Sequence, residues 1–117
     1  MKGEIYLTKP QQFAMVHGQG KTWASGPVVM KALPNDLSIS RFGLSVSKHV
    51  GNAVTRNRIK RRLREILRKV RLAPGWDIVI IARPSISDIA YGNVQKTIEH
   101  LLLKAALIND VDIIKYN

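Results

Sequence analysis

A chain of 117 residues with 45% apolar side chains is long enough to fold as one domain on one core, and no second domain is needed. Its net charge of +11, from 19 Lys and Arg against eight Asp and Glu, points to a polyanionic partner, with nucleic acid ahead of an anionic membrane surface. The absence of cysteine excludes a disulfide framework and a thiolate metal site, and is compatible with a cytoplasmic protein. The opening MKGEIYLTKPQQF has no apolar signal core, and no uncharged apolar run approaches about 18 residues, so neither a visible export signal nor a membrane span is expected.

In chain order, residues 1–8 read as an irregular lead. Lys9–His17 is a short helix, with Pro10 in its first turn, Phe13 and Val16 on one side, and Gly18 and Gly20 ending it. Residues 21–33 are strand-like, with Trp23 early and Val28, Val29 and Met30 later; Gly26 and Pro27 mark an edge strand or a break. Pro34, Asn35 and Asp36 form a turn cluster, so a hairpin partner should follow, and Ile39–Lys48 fits that role. Phe42, Leu44 and Val46 fall on one face of it, and Gly43, Ser45 and Ser47 on the other.

The charge is local. The segment from Arg41 to Arg71 holds eleven of the 19 bases and one acid, Glu65, so it carries +10 while the other 86 residues sum to +1. Within it Ile59, Leu63, Ile66, Leu67 and Val70 recur at steps of four, three, one and three, an arc of about 100° on a helix. The spacing predicts a helix from about Ala53 to Val70, capped by Asn52 or Thr55 and stopped by Pro74 and Gly75. Arg58, Arg61, Arg62, Arg64, Arg68 and Lys69 lie outside the apolar arc, and Arg56 at its edge is expected to reach sideways beside the preceding loop.

Next, WDIVIIA (Trp76–Ala82) reads as a strand buried on both faces beside parallel neighbours, and Pro84 ends it. Ser87 or Asp88 is the cap expected for a last helix whose apolar side is Ile89, Val94, Ile98, Leu101, Leu102 and Ala105, with Gly92 weakening its first turn. The order is roughly αβββαβα, an α+β chain folded as an α/β sandwich. The tail from Ile108 to Asn117 is expected to be irregular, although its IIKY stretch is apolar enough to dock.

A solvated helix usually mixes charge signs, whereas this one has Glu65 alone among its bases. Like-charge repulsion of a few tenths of a kcal/mol per pair is offset if phosphates bind. The arginine fork suits phosphate, and Asn57 offers both a donor and an acceptor to a base edge or ribose. His49 beside Lys48 at the strand end joins this surface, while His17 reads equally as a base-stacking residue or a helix-end residue. The scattered acids do not form an evident Mg²⁺ cluster for a protein-only nuclease, the three histidines lack metal-site spacing, and the GNA turn lacks nucleotide-loop spacing. Ser45 and Ser47 suit either close backbone approach by a nucleotide or plain solvent exposure, and Phe13 on its amphipathic helix reads first as core.

The run RFGLSVSKHVGNAVTRNRIKRRLREILR, Arg41 to Arg68, resembles the protein subunit of bacterial ribonuclease P, including that family's RNR signature at Arg56, Asn57 and Arg58. With WDIVIIAR and the closing helix, the resemblance covers about Gln12 to Ala106. It implies a four-stranded sheet with a left-handed strand–helix–strand crossover, against the general right-handed rule. It also implies a catalytic RNA subunit that uses Mg²⁺ to remove the 5′ leader from precursor tRNA, with a protein subunit that binds that RNA and the leader. The implied protein has no catalytic residue, no metal bound by the protein alone, no membrane and no obligate protein partner. By position, Arg56, Asn57, Arg58, Lys60, Arg61 and Arg64 match the contacts to catalytic RNA, with Arg68, Lys48 and His49 extending that surface. The implied leader cleft lies between the first helix and the sheet and includes Phe13, His17, Lys31, Ser45 and Ser47. This chain departs from the family in having only Lys2 and Lys9, against Glu4, in its lead, and in lacking aromatics at His17 and Lys31. A structural RNA-binding protein of ribosomal type, with no role in cleavage, is the alternative.

Overall fold

The structure, a computed structural model, describes residues 6–108. Its elements are α1 (Pro10–Gln19), β1 (Lys21–Ser25), β2 (Val28–Pro34), β3 (Arg41–Val46), α2 (Ala53–Arg68), β4 (Trp76–Ala82) and α3 (Tyr91–Lys104). This is the αβββαβα order read from the sequence. Short 3₁₀ turns at Lys48–Val50 and Pro84–Asp88 lead into α2 and α3.

The four strands form one mixed sheet in the order β1-β2-β4-β3, antiparallel except for the parallel β3–β4 pair. Gly26, at φ 52°, adopts the left-handed backbone that glycine tolerates, and with Pro27 it turns β1 back onto β2. The expected hairpin through Pro34–Asp36 does not form. Instead β4 lies between β2 and β3, pairing Met30 with Ile80 and Ile80 with Leu44. The physical reason lies in composition: β4 is apolar on both faces and takes the centre, whereas β3, small and polar on one face, takes the edge. The neighbours of β4 are therefore one parallel strand, β3, and one antiparallel strand, β2, not two parallel ones.

The turn after β2 is tied to β4. Asn35 N donates to Gly75 O at 2.8 Å, and Asn35 Nδ2 donates to Asp77 Oδ1 at 2.9 Å. Arg41 at the start of β3 grips Asp77 with Nε and Nη2, each at 2.8 Å. Asp77 is 7% exposed, and this bidentate pair satisfies a carboxylate that burial would otherwise penalise.

The main core fills the space between one sheet face and the helices α2 and α3. Val28, Met30, Phe42, Ile78 and Ile80 meet Ile59, Leu63, Ile66 and Leu67 of α2 and Ile98, Leu101 and Leu102 of α3. A smaller cluster of Leu7, Val16 and Val79 lies on the opposite face, beneath α1.

Boundaries differ from expectation in several places. α1 runs through Gly18 to Gln19 with Gly20 alone as its cap, and β3 spans Arg41–Val46 and not Ile39–Lys48, Lys48 belonging to the 3₁₀ turn. α2 ends at Arg68 because Lys69 N turns to Ile66 O and Leu67 O, so Val70 lies past the helix and Pro74–Gly75 are not its stop. α3 begins at Tyr91; Ser87 and Asp88 belong to the preceding 3₁₀ turn, where Ser87 Oγ donates to Pro84 O, and so do not cap it. The lead is ordered where described, since Tyr6 bridges in parallel to Phe42 and Leu7 N donates to Phe42 O at 2.9 Å. The expectations for residues 1–5 and for the tail beyond the buried Ile108 fall outside the described residues.

Leu63 is fully buried at the centre of α2's apolar stripe. Leu63→Ala should cost about 2–5 kcal/mol, read as a lowered urea midpoint at constant m-value; a midpoint within error of the parent would refute its central role.

Candidate nucleic-acid interface

The start of α2 is set by side-chain chemistry. Asn52 Oδ1 accepts from Thr55 N at 2.9 Å, so Asn52 is the cap and Thr55 the capped residue. Arg56 reaches sideways as its position on the wheel suggests, with Nη1 3.5 Å from Gly51 O. One turn later the apolar stripe begins, and burying Ile59, Leu63, Ile66 and Leu67 turns the opposite side outward. Asn57, Arg61, Arg64 and Arg68 are exposed, while Arg58, Lys60 and Arg62 are half-buried. Arg58 Nε is buried with no hydrogen-bond partner among the described residues.

The ion pair found among the described residues joins Arg41 to Asp77, not α2 to a carboxylate. Arg41 thus serves the fold, and its hydrogen bond to Asp77 raises its pKa above the ordinary value. Lys69, which the helical wheel turns away from the core, is half-buried with its Nζ 3.4 Å from Tyr91 Oη and 5.5 Å from that ring's centre. Lys48 and His49 are exposed in the 3₁₀ turn that enters α2, and Ser47 Oγ accepts from His49 N at 3.3 Å. Ser47 is thereby a turn cap past the end of β3.

On the sheet face beneath α1, Lys31 stands opposite Val79, which stands opposite Gly43; Ile81 stands opposite Ser45 in the next row. Phe13 descends onto this face. A Cβ built on Gly43 would lie 2.4 Å from Phe13 Cε1, so glycine at 43 is what admits the ring. The structure therefore brings Phe13, Lys31 and Ser45 to one face, all half-buried. His17 is exposed in the last turn of α1, one turn beyond Phe13.

The two surfaces meet at the β3 edge. A cleft of about 350 Å³ is lined there by Tyr6, Phe13, Phe42, Gly43, Lys60 and Arg64 among others. Tyr6 and Phe42 contact edge to face, with centroids 5.4 Å apart. Sequence reasoning missed Tyr6 because its lead carries no periodic signal; it also missed Asp77, although a lone acid inside an apolar strand was a visible cue. Among the described residues no group of three His, Asp or Glu side chains could hold a metal, and no helix is long and apolar enough to cross a membrane.

A family model described as Ribonuclease P matches residues 1–106. The chain belongs to the ribonuclease P protein family. It is 44% identical over 112 residues to the ribonuclease P protein component of Dehalococcoides mccartyi, covering 96% of this chain and 93% of that one. Its fold is similar to that of a Staphylococcus aureus RNase P protein mutant with defective mRNA degradation activity, with a TM-score of 0.84, 31% identity, and coverage of 92% and 93%. The RNase P protein of Thermotoga maritima gives a TM-score of 0.78 at 28% identity, covering 85% of this chain and 96% of that one. The span matched by the family model contains both the α2 cations and the α1–sheet face.

Because Phe13 occupies the space above Gly43, Gly43→Ala should displace the ring and cost about 1–3 kcal/mol by overpacking. Denaturant unfolding checks this, and a variant as stable as the parent would mean that Phe13 moves away without loss.

Proposed function

We propose that this chain is the RNA-binding protein subunit of ribonuclease P and assists a catalytic RNA in removing the 5′ leader from precursor tRNA. The observation that carries the reading is α2. Its apolar side is buried in the core while Arg61, Arg64 and Arg68 stand exposed on a helix whose one acid is Glu65. Such a face is costly in isolation and favourable against phosphates, whose condensed counterions are released on contact. Family membership directs that chemistry to the ribonuclease P RNA.

In this reading Arg56, Asn57, Arg58, Lys60, Arg61, Arg64 and Arg68, with Lys48 and His49, contact the RNA subunit. Phe13, Lys31 and Ser45 receive the single-stranded leader, an aromatic ring and an ammonium on one face serving as stacking platform and phosphate partner. His17 and Ser47 flank that path. In this reading the Mg²⁺ ions act with the RNA subunit, as the resemblance to the family implies. The protein's share is binding energy, charge screening and positioning. The cytoplasm, where precursor tRNA is made, is the compartment this requires.

Replacing Arg58 and Arg61 together by alanine should weaken binding to the cognate RNA and flatten its salt dependence by about one phosphate contact each. Filter binding across a salt series measures both, and unchanged binding at moderate salt would remove α2 from the interface. Cleavage of precursor tRNA by the RNA subunit at low Mg²⁺ should depend on this chain. Independence would favour a ribosomal-type binding protein, and cleavage by nuclease-treated protein alone would favour a self-sufficient nuclease.

A further inference from the structure

The one acid on α2 is held in place by a residue of α3. Tyr91 Oη donates to Glu65 Oε1 at 2.9 Å, and Lys69 Nζ donates to Tyr91 Oη at 3.4 Å. The phenol thus accepts from a cation and donates to an anion, Lys69 following Glu65 by one helical turn at the cap of α2. Burial, and then the bond to Glu65, raise the Tyr91 pKa above its ordinary value. The ring itself packs against the main core and lies beneath Lys69.

Helical geometry makes this bond consequential. Residues three and four apart are neighbours on a helix surface, so a Glu65 carboxylate released from Tyr91 has Arg61, Arg62, Arg68 and Lys69 within reach as ion-pair partners. A pair with Arg61 or Arg68 would neutralise a cation that the RNA reading assigns to phosphate, and a carboxylate left unpaired on that face would set a negative charge against the phosphates. We propose that Tyr91 is a positioning residue for the RNA interface: its hydroxyl draws the Glu65 carboxylate toward α3 and keeps the α2 arginines available to phosphate. The inference rests on α2 being the RNA-binding face.

The test is a two-by-two set with the full-length chain: the parent, Tyr91→Phe, Glu65→Gln, and the two combined, with Arg61→Ala as reference. Binding to the ribonuclease P RNA is measured across a salt series. Phenylalanine keeps the ring in the core and beneath Lys69 and removes only the hydroxyl. Tyr91→Phe should bind several-fold more weakly and lose up to one unit of salt slope, the signature of one lost phosphate contact. Adding Glu65→Gln should restore both, because the amide is neutral; Glu65→Gln alone should bind at least as tightly as the parent.

A deficit in Tyr91→Phe that Glu65→Gln does not rescue would overturn the proposal, since a packing role predicts the same loss with either residue at 65. An unchanged slope in Tyr91→Phe, with the slope lowered in Arg61→Ala, would overturn the positioning role and leave the RNA face standing. An unchanged slope in Arg61→Ala would overturn both.

Discussion

The apolar anchoring of α2 decides where the cations lie. Burying an aliphatic side chain contributes about 1.5–3 kcal/mol, and four such residues, Ile59, Leu63, Ile66 and Leu67, enter the core along one stripe. Repulsion among neighbouring arginines costs a few tenths of a kcal/mol per pair. The burial term wins by a wide margin, so the helix forms with its charge concentrated on one exposed side. Asn52 adds a defined start, and Lys69 N–H donates to the Ile66 and Leu67 carbonyls at the end.

That anchoring needs a sheet of the right shape, and β4 supplies its centre. Its alternating side chains serve two clusters, with Ile78 and Ile80 toward α2 and α3, and Val79 toward α1. A strand with apolar residues on both faces has no favourable place at an edge. The buried Asp77 then locks both neighbouring connections to it, through Asn35 from the turn after β2 and Arg41 from the start of β3. A basic residue that belongs by sequence to the cationic run is thus part of the scaffold.

The edge position of β3 shapes the surface. Tyr6 bridges to Phe42 along this edge, and Tyr6, Phe13, Lys60 and Arg64 line a shared cleft there. The aromatic face under α1 and the cationic face of α2 are continuous around this edge. Kinship with ribonuclease P proteins and this continuity are independent supports for one reading, since the first comes from matched sequence and the second from geometry.

Much of this was legible in the chain itself. The period of Ile59, Leu63, Ile66 and Leu67 dictates a helix and its buried side, because helical spacing is a local property; Asn52 is readable as a cap for the same reason. The RNR tripeptide in its setting was enough to suggest the family. Strand partnership was legible in part: the apolar run of β4 pointed to a parallel neighbour, which β3 supplies across α2, but the insertion of β4 between β2 and β3 was not readable, since it depends on a competition among all strands that adjacency along the chain does not express. The Arg41–Asp77 pair, the Phe13–Gly43 contact and the Tyr91–Glu65 bond join residues separated by 36, 30 and 26 positions. Each comes into being only when the sheet order and helix docking bring distant segments within a few ångströms, so tertiary structure alone decided them.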